Sequence, residues 1–80
     1  ETGMMARTKS GHDAGKVYVI TKVEETYVYL VDGKVRTLDK PKKKKKKHVQ
    51  LIKESFDIQG ATDVDIKRWI KIWNKEDNQN

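Results

Sequence analysis

Apolar positions fall into two kinds of pattern along the chain. Up to about residue 52 they come as short runs rich in β-branched and aromatic residues: Lys16 to Val23 (KVYVITKV), Thr26 to Val31 (TYVYLV), Lys34 to Leu38 (KVRTL) and His48 to Ile52 (HVQLI), with Met5 to Lys9 as a fifth run. Runs of this length and composition predict β-strands. Only Glu24 and Glu25 separate the first pair, which predicts a tight hairpin. Asp32-Gly33 separates the next pair, and an Asp-Gly pair between β-rich runs predicts a type I′ turn, which needs positive φ at both central residues. Val28 and Leu30 share one face of their strand and Tyr27 and Tyr29 the other, so the aliphatic pair is expected to face the core. The tyrosines, with Tyr18, would then either seal the rim of the core or offer a stacking platform for bases; rim packing is the favoured expectation.

Beyond residue 62 the period changes. Ile66, Trp69, Ile70 and Trp73 stand at i, i+3, i+4 and i+7, the stripe of an amphipathic helix predicted over about residues 63–75. Thr62 or Asp63 can cap it, and Asp63, Asp65 and Lys75 match its dipole. The stripe is expected to dock on the strands, the alternative being a groove in a protein partner. The expected organisation is therefore a cloning remnant at 1–3, a β domain at 4–53 with a lysine-rich loop at 40–47, a linker at 54–62, the helix at 63–75 and a tail at 76–80.

Charge sharpens the picture. The 80 residues carry a formal net charge of +6, unevenly spread. Residues 1–53 hold 14 Lys/Arg against 6 Asp/Glu, and residues 54–80 hold 4 against 6, so the β segment is strongly positive and the helical segment slightly negative. The density peaks at Lys40 and Lys42 to Lys47, six consecutive lysines that are expected to form a solvated, disordered run. A basic small domain of this kind points to a polyanionic partner. The PKKKKKK string also fits a nuclear-localisation signal, but it lies between two predicted strands, and a cytoplasmic protein is the expectation. No run is long and apolar enough to suggest a membrane partner.

Chemistry-bearing motifs are few. The absence of cysteine removes disulfides, zinc ribbons and thiol catalysis. With His12 and His48 as the two histidines, a metal site is not expected, and no cofactor or enzymatic activity is. Gly11 and Gly15 bracket His12-Asp13-Ala14 in a loop. Both glycines suit a tight turn and would also let a sugar-phosphate chain approach. Asp13 reads as a turn residue closing on backbone N–H groups, and His12 reads equally as a solvated side chain or an RNA contact. Arg36 suits a bidentate phosphate contact or a pairing with Glu24, Glu25 or Asp32.

The stretch Ser10 to Ile20 (SGHDAGKVYVI) resembles the KOW motif, a loop of the type S-G-x-D-x-G-[KR] running directly into a strand. Downstream, YVYLVDGKVRTLDKPKKKKKKHVQLI is similar to short bacterial KOW-domain proteins related to KOW-type large-subunit ribosomal proteins, with their D-G-x-x-R hairpin, P-K-x-K and K-H-L. The likeness covers roughly residues 7–52; relatives commonly carry Arg where this chain has His12. The resemblance implies a small five-stranded SH3-like barrel followed here by the helix, and an RNA-binding activity beside the ribosome. The residues expected to carry it are Lys9, Ser10, Gly11, His12, Lys16, Arg36, Lys40, Lys42, Lys43, Lys44, Lys45, Lys46, Lys47 and His48. The rival expectations are a protein–protein adaptor, using the tyrosine face or the helix residues Ile66, Trp69, Ile70 and Trp73, and a nonspecific DNA-binding protein.

Overall fold

The computed structural model describes residues 2–12 and 14–77, with the side chains of residues 76 and 77 left aside. The chain is mainly β: β1 (Met4–Thr8), β2 (Val17–Val23), β3 (Tyr27–Val31), β4 (Lys42–Lys45), a 3-10 turn at Lys46–His48, β5 (Val49–Ser55) and one helix, α1 (Asp63–Asp77). The strands form one antiparallel sheet in the order β4-β3-β2-β1-β5.

The sheet is open, with β4 and β5 at its edges, so it is not closed into a barrel. It is nevertheless forced to curl. Lys45 ends one edge strand and Val49 begins the other. Four Cα steps reach at most about 15 Å, whereas the outer strands of a flat five-stranded sheet lie about 19 Å apart. A compact 3-10 turn spans less still, so the two edges must approach each other.

Two apolar clusters result, one on each face. Ala6, Tyr18, Ile20, Val28, Leu30 and Val49 fill the inside of the curl. Met5, Val17, Val19 and Val31 face the other way and receive Ile66 and Ile70 of α1, with Ile52, Phe56, Ile58, Trp69 and Trp73 around them. The central strands are thus buried on both faces, which is why Val17 to Ile20 reads as an unbroken apolar run. A bulge between Ile20 and Lys22 ends that two-sided burial and turns Lys22 toward Tyr29. Val28 and Leu30 face the core as expected.

Two segments differ from their sequence-based expectation. Residues 34–38 form no strand. The Asp32 carboxylate accepts backbone N–H bonds from Lys34, Val35 and Arg36 at 2.9, 3.0 and 2.8 Å, folding the chain into a capped loop. Gly33 has φ +78° but Asp32 does not have positive φ, so the type I′ turn does not form. Instead, the fourth strand is the lysine run itself. β3 presents an unpaired edge whose N–H and C=O groups need partners, and the register Tyr27↔Lys45 through Leu30↔Lys42 supplies them. The pleat sends alternate ammonium groups to opposite faces, relieving the repulsion that argued for disorder.

The segment expected as a linker is likewise partly structured. β5 runs on to Ser55, and Phe56 and Ile58 pack on the helix-side cluster. Gly3, set aside with residues 1–2, donates to the Ile20 carbonyl at 2.7 Å and accepts from the Phe56 N–H at 2.8 Å. Thr62 caps α1 reciprocally: its hydroxyl accepts the Asp65 N–H at 3.3 Å, and the Asp65 carboxylate accepts the Thr62 N–H at 3.0 Å. The Thr62 backbone N–H, and after it the Thr62 hydroxyl, hydrogen-bond the Asp65 carboxylate and hold its pKa below the ordinary carboxylate value.

Helix docking is specific. Ile66 is fully buried and Phe56 stacks on Trp69 with centroids 4.7 Å apart. The Arg7 guanidinium lies 5.4 Å from the Trp73 ring centre. A Cβ at Gly33 would collide with the Asp63 carbonyl and lie 2.9 Å from the Lys67 nitrogen, so the 32–40 loop sits directly on the first turns of α1. The Leu38 N–H donates to the Asp63 carboxylate at 2.8 Å and fixes the same junction.

Candidate nucleic-acid interface

The glycine loop is held at its base by β1. The Thr8 N–H and hydroxyl donate to the Lys16 carbonyl at 3.0 and 3.4 Å, and the Gly15 N–H donates to the Thr8 carbonyl at 2.7 Å. The Ala14 N–H closes on the Gly11 carbonyl at 3.2 Å. Gly15 has φ +87°, yet a Cβ there would meet nothing within 4 Å. Backbone conformation therefore requires the glycine, and the space beside it stays open to a ligand. Asp13, expected as a turn residue, lies outside the described residues.

The lysine strand meets this loop. Alternation puts Lys42 and Lys44 on the Val28–Leu30 face, where both are half-buried, and the Lys44 ammonium donates to the Ser10 carbonyl at 2.9 Å. A cleft of about 450 Å³ opens between the two segments. Gly11, His12, Lys16, Arg36, Lys42 and Lys44 line it. Its floor is Tyr18, which is 3% exposed. Three separate stretches of chain thus place four basic side chains and an imidazole around one concavity. Arg36 makes no ion pair with Glu24, Glu25 or Asp32 among the described residues; the ion pair found there is Lys22 with Glu24, at 3.8 Å.

Other expected site residues lie elsewhere. Lys43 faces the tyrosines, its ammonium 4.4 Å from the Tyr27 ring centre and 5.9 Å from that of Tyr29. Lys22 covers Tyr29 at 5.2 Å, and the Tyr29 hydroxyl donates to Glu24 at 3.2 Å. The half-buried tyrosines therefore carry lysines rather than forming a bare stacking platform. Lys45, Lys46 and Lys47 gather with Glu25 and Thr26 at the β2–β3 turn. Lys9 and Lys40 are exposed outside the cleft, and the His48 carbonyl accepts from the Lys9 N–H at 2.8 Å. Trp69 and Trp73, with Ile66 and Ile70, belong to the docked helix.

Tyr18, Asp32 and Val35 also line the cleft, though none is among the site residues expected from sequence. Tyr18 had a usable signal: its parity places it with Ile20, inside the curl. Asp32 and Val35 had none, since their position depends on the capped loop. No group of three or more His, Cys, Asp or Glu able to hold a metal occurs among the described residues. No helix among them is long and apolar enough to cross a membrane. No protein-family model matches the chain, and no curated protein matches it.

Proposed function

We propose that this protein is a KOW-type RNA-binding module that acts beside the ribosome, its curled sheet an opened version of the SH3-like barrel. The observation that carries the reading is the convergence of His12, Lys16, Arg36, Lys42 and Lys44 on the single cleft beside the glycine loop. Cations gathered by the fold at one concavity recognise a phosphate chain, whereas a merely solvated charge run would be spread around the surface. Open space at Gly15 lets a backbone come close, and the Arg36 guanidinium suits bidentate contact with phosphate.

Of the two surfaces the adaptor alternative could use, the helix has its Ile66 and Ile70 already packed against the sheet. The DNA alternative is separated by experiment. Labelled structured ribosomal RNA is titrated with the protein and competed with duplex DNA of equal charge. RNA is expected to bind more tightly, and Lys42→Gln/Lys44→Gln to weaken it. Equal competition by the duplex overturns the RNA reading.

A further inference from the structure

A second and larger cleft, of about 710 Å³, lies between the glycine loop and α1. Lys16, Lys34, Lys67, Lys71 and Asn74 line it, together with Asp32. The lysines arrive from three segments far apart in sequence. Among the described residues none of the four is paired with a carboxylate. Lys67 and Lys71 stand at i, i+4, a like-charge spacing that costs a helix stability. The packing of Gly33 on the Asp63–Lys67 backbone and the Leu38–Asp63 bond hold this pair opposite Lys34. The one carboxylate in the cleft, Asp32, already accepts three backbone N–H bonds through one oxygen.

Lys16 and Asp32 also line the glycine-loop cleft, so the two concavities share a wall. We propose that a single RNA backbone occupies both: it leaves the glycine-loop cleft, passes Lys16 and continues between Lys34 and the Lys67–Lys71 pair, with Asn74 hydrogen-bonding a phosphate or 2′-hydroxyl. This rests on the RNA-binding reading above and extends it to the helix, outside the KOW-like segment. It makes the helix part of the binding surface as well as of the core, and it explains a lysine pair on a segment whose net charge is negative.

The test uses the full chain and single-stranded ribosomal RNA fragments, with affinity measured against salt. Removing one lysine–phosphate pairing lowers the log–log slope by about 0.7, so Lys67→Gln/Lys71→Gln should reduce it by about 1.4. Lys67→Arg/Lys71→Arg should retain the slope, and thermal melts should show all variants folded. An unchanged slope for Lys67→Gln/Lys71→Gln, with Lys42→Gln/Lys44→Gln flattening it, overturns the helix path and leaves the glycine-loop cleft standing. No change in either variant overturns both. A reduced slope for the helix pair alone keeps the helix groove as an RNA site and removes the glycine-loop cleft.

Discussion

Gly33 is a point of close contact between the 32–40 loop and α1. Its φ of +78° is one that side-chain-bearing residues rarely adopt, and the space where its Cβ would sit is filled by the backbone of α1. Gly60 has nearly the same φ, +77°, but open space around it. The pair separates two effects that are usually confounded. Gly60→Ala should cost about 1 kcal/mol, the left-handed penalty alone. Gly33→Ala carries that penalty and must also displace the helix, so its loss should be at least about twice as large. Urea unfolding of both variants measures the difference. Equal losses would mean that the helix yields freely at this contact, contrary to a fixed junction between loop and α1.

Among the elements, β4 is the least expected. Lysine has low strand propensity, and nothing local makes residues 42–45 extended. The cause is tertiary: β3 has an edge to fill, and the capped 32–40 loop delivers the next segment to it. That is also why Lys34–Leu38 misled. Its composition suits a strand, but the Asp32 carboxylate takes three of the N–H groups that a ladder would need. The β2–β3 hairpin and α1 were legible because their signals are local, β-branched runs in one and a 3.6-residue stripe in the other. The glycine loop and the cations of its cleft were legible as residues, but not which lysines would enter: parity on a strand decides that, and the strand was unforeseen.

An all-lysine edge strand has a testable consequence. Its ammonium groups still repel across about 7 Å along each face, a distance within the Debye length at low ionic strength. The melting temperature should therefore rise between about 20 mM and 300 mM sodium chloride. Lys43→Thr/Lys45→Thr should show a weaker salt dependence and a higher melting temperature at low salt. The same change removes charges that discourage edge-to-edge pairing, so the variant should self-associate as concentration rises. Sedimentation velocity across a concentration series reads this. A monomeric variant with an unaltered salt response would show that β4 contributes neither repulsion nor edge protection.

At the scale of the whole molecule, the helix completes one of the sheet's two apolar clusters. Ile66 lies fully buried among Met5, Val17, Val19 and Val31, which come from three strands. Truncating such a side chain typically costs about 2–5 kcal/mol. A chain of this size is expected to be stable by only about 4–12 kcal/mol in total, so Ile66→Ala should remove a large share of it and lower the melting temperature steeply. The manner of unfolding is as informative as the amount. Trp69 and Trp73 report on the helix side, while Tyr18 is buried in the opposite cluster, inside the curl. If the helix completes the core, tryptophan fluorescence and the near-ultraviolet tyrosine signal should change in one transition, in the parent chain and in Ile66→Ala alike. Val17 and Val19 alternate with Tyr18 and Ile20 on one strand, so loosening either face disturbs the other. A tryptophan transition well below the tyrosine one would instead mark the helix as a separable cover on a sheet that stands alone, and the helix-side cleft could then open without unfolding the rest.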